Sequence, residues 1–128
     1  MSKRILVVDD SPDARETVRF ILEAEGYDVL EACDGQMGVE TAKSFLPDLI
    51  VLDMMMPKKD GFVASMEIKR DPKLAHIPIV VLSGIEEHIR GDSKNVQSGL
   101  RADVFMQKPV DPNAFVATVN KLLESRQT

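Results

Sequence analysis

Asp9-Asp10, Asp53, Ser83 and Lys108 are the residues of this sequence whose types, taken together, could do chemistry. Carboxylates brought together repel one another, and a hard divalent cation relieves that repulsion. Mg²⁺ suits such a cluster because it takes oxygen ligands and favours sites shared with a phosphate. A carboxylate can itself be a nucleophile and form an aspartyl-phosphate. In phosphoryl transfer the protein mainly positions groups and neutralises charge, work for which a metal, a lysine and a hydroxyl are suited. Each residue alone has a plainer reading. Asp9-Asp10 before Ser11-Pro12 can simply cap a helix, Asp53 can sit in a turn, Ser83-Gly84 can end a strand, and Lys108 can be a loop lysine. Cys33 reads as a small hydrophobe, and Met54, Met55 and Met56 as adaptable packing.

Whether the polar residues meet depends on the elements that carry them. Ile5-Leu6-Val7-Val8 is short, partly β-branched and ends at Asp9-Asp10, which fits a buried strand. Ser11-Pro12 supplies an N-cap and a proline at the first helical position. Ala14, Val18, Ile21 and Leu22 then form one apolar stripe, up to Gly26. Tyr27 to Ala32 reads as a second strand and Asp34-Gly35 as a turn. Met37, Val39, Ala42, Phe45 and Leu46 belong to a second helix, and Pro47 stops it. A third strand covers Asp48 to Asp53. Gly61 opens a third helix to about Arg70, with Phe62 and Met66 inward. Ile77 to Leu82 is a fourth strand, ending at Ser83-Gly84. A polar, weakly patterned stretch over about Glu86–Leu100 reads as a fourth helix. Val104-Phe105-Met106 is a fifth strand, and Asp111-Pro112 begins a last helix with Phe115, Val119, Leu122 and Leu123 inward.

Strands alternate with helices, and the strands are continuously apolar. That predicts an α/β fold: a five-stranded parallel sheet, doubly wound as (βα)5 and covered on both faces. Sites in such sheets form at the carboxyl ends of the strands, near the switch in strand order. Asp9-Asp10, Asp53, Ser83 and Lys108 all follow or end strands and therefore share one sheet edge. The second strand brings only Cys33 there.

The bulk properties agree. The chain has 128 residues, 44% hydrophobic and 29% charged, which fits one domain over 1–128 with an ordered core of about 4–125. A net charge of -5 argues against direct nucleic-acid binding, which wants a basic face. A single cysteine allows no internal disulfide and suits the reducing cytoplasm. The apolar run after Met1-Ser2-Lys3-Arg4 is too short for a signal peptide or a membrane span.

Asp9-Asp10 after strand one, Asp53 after strand three, Met56-Pro57 and then Asp60-Gly61, Ser83 after strand four, and Lys108-Pro109 after strand five form one ordered pattern. In this pattern the chain resembles a response-regulator receiver domain over nearly its whole length. The resemblance implies a flavodoxin-like receiver fold and a phosphorylation switch. Asp53 would be the phosphoacceptor. Mg²⁺ or Mn²⁺ would be bound by Asp10, Asp53 and the backbone carbonyl of Met55, with Asp9 acting mostly through water. Ser83 and Lys108 would bind the phosphoryl oxygens, and Phe105, three residues before the lysine, would be the aromatic switch. Pro57, Gly61 and Pro109 would shape the loops. Met55 and Ile85, both apolar and bulky, would flank the approach of water to the phosphorylated Asp53 and so prolong its lifetime. The phosphodonor would be a sensor histidine kinase or a histidine phosphotransfer protein. The face of the fourth helix, fifth strand and fifth helix would control a downstream partner or output domain, and a phosphorylation-dependent dimer is compatible with this. Such a protein is a phosphoacceptor switch rather than an enzyme acting on other molecules. One departure is the segment between Ser83 and Lys108, longer than is common in the family, with "SGLRAD" where helix four would end.

Competing readings fit less well. An aspartyl-phosphate phosphatase of the haloacid-dehalogenase type would carry a second Asp two residues after Asp53, where Met55 stands. A flavin-binding module would need a phosphate-binding loop after strand one, where Asp9-Asp10 would repel a phosphate. A degenerate receiver would lack parts of the site, and all are present here. A stand-alone receiver and the receiver part of a longer chain both fit the sequence.

Overall fold

The computed structural model describes residues 2–54, 61–84 and 103–125. In chain order the elements are β1 (Arg4–Val8), α1 (Pro12–Ala24), β2 (Asp28–Ala32), α2 (Gly35–Phe45), β3 (Leu49–Asp53), α3 (Gly61–Arg70), β4 (Ile79–Ser83), β5 (Val104–Gln107) and α4 (Pro112–Ser125). The helix expected over about Glu86–Leu100 lies outside the described residues. The five strands form one sheet in the order β2-β1-β3-β4-β5, with every neighbouring pair parallel. The chain runs outward from β1 to β2, then crosses back to β3. The switch in direction therefore lies between β1 and β3, where such sheets open a crevice at their carboxyl ends.

Successive strand residues point to opposite faces, and the core divides accordingly. Leu6, Val8, Ile50, Leu52, Ile79 and Val81 pack with Val39 and Ala42 of α2 and Ala64 and Ile68 of α3. Ile5, Val7, Leu49, Val51, Val80 and Leu82 pack with Val18 and Leu22 of α1 and Phe115, Val119 and Leu123 of α4. Both faces are covered, which is why these strands read as unbroken apolar runs rather than alternating ones.

The helix starts follow from their capping residues. Ser11 Oγ accepts from Ala14 N–H with Pro12 in the first turn. Asp34, expected in a turn, is the N-cap of α2 and accepts from Met37 N–H at 2.8 Å. Asp111 Oδ2 accepts from Ala114 N–H at 2.9 Å at the start of α4. Gly26, at φ 91°, follows the end of α1 in a conformation that other residues rarely adopt.

In two helices the most buried positions are held mainly by small residues. In α2, Met37 and Phe45 are exposed, as is Leu46 just beyond it, and the buried positions are Gly35, Gly38, Val39 and Ala42. In α3, Gly61, Ala64, Ser65 and Ile68 are buried, while Phe62 and Met66 are only half-buried. The cause is close approach. A Cβ on Gly38 would lie 2.9 Å from both Cγ atoms of Val8, so α2 rests on β1 through its small residues and its large ones move to the rim. Cys33 is exposed rather than packed away, because β2 is an edge strand and ends at Ala32.

The far end of the sheet is tied by one side chain. Lys69 Nζ donates to the carbonyls of Ala75 and Ile77 at 3.1 and 2.7 Å and pairs with Asp103 Oδ2 at 3.2 Å. That carboxylate oxygen also accepts from Ile79 N–H at 2.7 Å. Hydrogen bonds to charged groups contribute about 1.5–3 kcal/mol, so Lys69→Met should lower the unfolding free energy by about 1–3 kcal/mol. Urea unfolding would measure this, and no loss of stability would show the staple to be unimportant. No helix among the described residues is long and apolar enough to cross a membrane.

Candidate functional site

The carboxyl ends of β1, β3, β4 and β5 bring the polar residues together as the sequence leads one to expect. Asp9 follows β1, Asp53 is the last residue of β3, Ser83 the last of β4, and Lys108 follows β5. Backbone hydrogen bonds fix this edge: Asp9 N–H to Ala32 O at 3.1 Å, Met54 N–H to Leu82 O at 2.9 Å and Lys108 N–H to Ser83 O at 2.6 Å. The start of α3 closes in behind Asp53. Gly61 N–H donates to Met54 O at 2.9 Å, and a Cβ on Gly61 would overlap the Asp53 carbonyl oxygen. The Lys108–Pro109 peptide bond is cis.

Lys108 Nζ lies 2.9 Å from Asp53 Oδ1 and 3.4 Å from Asp9 Oδ2. Asp9 and Asp53 are both buried, whereas Asp10 is exposed. Carboxylate oxygens of Asp9, Asp10 and Asp53 all lie within 4.8 Å of one another. Burial pulls the Lys108 ammonium's pKa down, but its bonds to Asp53 and Asp9 outweigh burial and hold it above the usual lysine value. Asp53 is pushed above the usual carboxylate value by burial first. Its bond to Lys108 opposes this, and the charges of Asp9 and Asp10 add to it. Among the described residues, one ammonium against three carboxylates leaves negative charge uncompensated.

Those residues fit a divalent cation. Opposite ligands of Mg²⁺, each at about 2.1 Å, stand about 4.2 Å apart, close to the spread of the three carboxylates. Ser83 adds a second indication. Its hydroxyl is fully buried and has no hydrogen-bond partner among the described residues. A buried hydroxyl without a partner costs free energy, so a ligand oxygen there would be welcome. Ser83→Ala should leave the melting temperature of the unmodified protein unchanged or higher, since no bond is lost. A clear drop in a thermal melt would show that Ser83 Oγ has a structural partner.

Phe105 sits on β5 opposite Val81 of β4 and packs, half-buried, on the face covered by α2 and α3. Met55, Pro57 and Ile85 lie outside the described residues. Two groups at the site escaped the sequence reading. Ser11 N–H donates to Asp9 Oδ1 at 2.9 Å, and Arg15 Nη1 donates to the Asp9 backbone carbonyl at 2.7 Å. The available signal was the spacing of Arg15 and Arg19, four residues apart and hence on one side of α1.

The family model for the response regulator receiver domain matches residues 5–120. This chain belongs to that family. The receiver is 40% identical over 120 residues to the DNA-binding dual master transcriptional regulator RpaA of Synechocystis, covering 94% of this chain and 48% of that protein. The chain thus spans about half the length of that relative. Among solved structures, it superposes with a TM-score of 0.86 and 31% identity on the signal receiver domain of a signal transduction histidine kinase from Syntrophus aciditrophicus, covering 97% and 92% of the two chains. At 24% identity and a TM-score of 0.85, it shares its fold with the receiver domain of the sensor histidine kinase PA1611 from Pseudomonas aeruginosa, covering 97% and 99% of the two chains; that protein has a magnesium ion in its active-site cleft. The CheY-like, flavodoxin-like fold and the place in two-component signalling follow from these likenesses.

Proposed function

We propose that this receiver is a phosphorylation-dependent switch whose phosphoacceptor is Asp53. The observation that carries the reading is the buried Asp53 carboxylate paired with Lys108 inside a three-carboxylate cluster at the switch point of the sheet. Asp53 attacks the phosphorus of a phosphohistidine on a histidine kinase or phosphotransfer protein. The Asp53 O–P bond forms as the donor's P–N bond breaks, and the imidazole keeps the electron pair and takes up a proton. Lys108, held charged by its carboxylate neighbours, follows the negative charge from Asp53 onto the phosphoryl oxygens. Asp9, Asp10 and Asp53 would hold Mg²⁺ or Mn²⁺, with the Met55 carbonyl as a further ligand. The cation neutralises phosphoryl charge that one lysine cannot.

The buried Ser83 hydroxyl accounts for the conformational response, because a phosphoryl oxygen offers it the partner it lacks among the described residues. Its inward movement frees space for Phe105 and so changes the face that includes β5 and α4. Full switching from 1:99 to 99:1 needs about 5.5 kcal/mol of differential binding. One charge-assisted contact supplies about 1.5–3 kcal/mol, so Ser83, Lys108 and the cation share the work. Pro57, Gly61 and Pro109 set the loops around the site, and Met55 and Ile85 restrict the water that would hydrolyse the phosphoryl group. The unit is a single receiver domain over residues 1–128, in the cytoplasm, acting on a downstream protein or output segment. It turns over only its own phosphoryl group.

Intact mass after incubation with acetyl phosphate and Mg²⁺ tests the reading. One phosphoryl group should be added, should map to the peptide containing Asp53, and should be absent when EDTA replaces the metal. No label, or a label on another residue, would refute the assignment.

A further inference from the structure

Arg15 ties Asp9 to the edge strand of the sheet. Its Nη1 donates to the Asp9 carbonyl at 2.7 Å, and its Nε pairs with Glu31 Oε1 at 3.1 Å. Glu31 lies on β2 in register with Val7 of β1, two residues before Asp9. Its second oxygen takes Arg19 Nη1 at 3.4 Å. Two guanidinium groups one helical turn apart therefore converge on one carboxylate. Arg19 Nε is buried there with no hydrogen-bond partner among the described residues. As a stability device this is poor. Partly exposed ion pairs contribute little, and an orphaned buried N–H costs free energy. What the arrangement does achieve is to fix Asp9. The Asp9 N–H is bonded to Ala32 O, its carbonyl to Arg15, and its carboxylate to Ser11 N–H and Lys108.

We infer that Arg15, oriented by Glu31, is a positioning residue for the cation site, holding the β1–α1 turn so that Asp9 and Asp10 face Asp53. The inference rests on the reading of the carboxylate cluster as a Mg²⁺ site. Partners that orient metal-binding groups from outside typically change affinity tenfold or more when removed. Electrostatics alone gives the opposite sign. Deleting a positive charge beside three carboxylates would tighten cation binding, whereas deleting a positioning contact weakens it.

The sign of the change is the test. Mg²⁺ is titrated into wild type, Arg15→Met, Arg15→Lys and Lys69→Met, followed by backbone amide NMR shifts well below each melting temperature. Lys69→Met is a stability control, since Lys69 anchors the Asp103 end of the sheet. Arg15→Met should bind Mg²⁺ about tenfold more weakly than wild type. Arg15→Lys, which keeps the charge but loses the fork that spans Asp9 and Glu31, should also bind more weakly, and Lys69→Met should match wild type. Unchanged or tighter binding in Arg15→Met would overturn the inference while leaving the site reading intact. Equal weakening in Lys69→Met would overturn it too, by showing that affinity follows overall stability. A wild type that binds no Mg²⁺ would overturn the site reading and this inference with it.

Discussion

Asp53→Asn should take up no phosphoryl group from acetyl phosphate and, with EDTA present at neutral pH, should melt at a higher temperature than wild type. The first outcome follows because the amide has no nucleophilic oxygen anion. The second follows from electrostatics. Burial, together with Asp9 and Asp10, outweighs the bond to Lys108 and raises the pKa of Asp53 above its ordinary 3.8. A carboxyl whose folded pKa is raised contributes stability that is fully present below its unfolded pKa and is lost as pH rises through the folded value. Ionised Asp53 therefore costs the metal-free fold stability at neutral pH, and a neutral isostere of the same shape removes that cost. Lys108 keeps Asp9 as a partner at 3.4 Å. The two proteins should converge in stability below about pH 3.8, where Asp53 is protonated in both states, and separate as pH rises. Mg²⁺ should raise the melting temperature of wild type by mass action and that of the variant less. Melts from pH 3 upward, with and without Mg²⁺, check each part. Labelling of the Asn variant, or a lower melting temperature for it at pH 7 in EDTA, would contradict this account of Asp53.

Gly61→Ala should lower the unfolding free energy by about 1–3 kcal/mol, the usual range for forcing extra volume into a packed site, and should slow phosphorylation of Asp53 as well. The new Cβ would overlap the carbonyl oxygen of Asp53 and come within 2.9 Å of the Cα of Met54. Both are backbone atoms and cannot turn aside as a side chain could. β3 is the middle strand of the sheet, paired to β1 on one side and β4 on the other, so it resists movement. The start of α3 must shift instead, and the Gly61 N–H to Met54 O bond goes with it. That bond joins the start of α3 to Met54, the residue next to Asp53, so the strain reaches the phosphoacceptor. Chemical unfolding and the initial rate of acetyl phosphate labelling would be compared with wild type. Wild-type stability and rate in Gly61→Ala would show that the contact of α3 with β3 accommodates a methyl group.

The sequence by itself determined the order of the described elements, the parallel doubly covered sheet and the residues gathered at its edge. These are legible because they depend on short-range facts. Unbroken apolar runs such as Leu49-Ile50-Val51-Leu52 require two covered faces, and a parallel sheet then puts Asp9, Asp53, Ser83 and Lys108 at one end whatever the packing details. Ser11-Pro12 likewise announced the start of α1 through local capping chemistry. The tertiary structure alone decided the quantities that depend on how closely elements approach. Which sides of α2 and α3 face inward was set by the contacts of Gly38 with Val8 and of Gly61 with Asp53. An apolar periodicity marks large residues, whereas a tight helix-to-sheet contact selects small ones. The lack of a partner for Ser83 Oγ among the described residues and the sharing of Lys108 between Asp53 and Asp9 also appear only in three dimensions. The same holds for the line from Glu31 through Arg15 to the Asp9 carbonyl. Its members are 16 and 6 residues apart in the chain, and a bond to a backbone carbonyl leaves no mark on residue type, so only the pairing of β1 with β2 brings that line into existence.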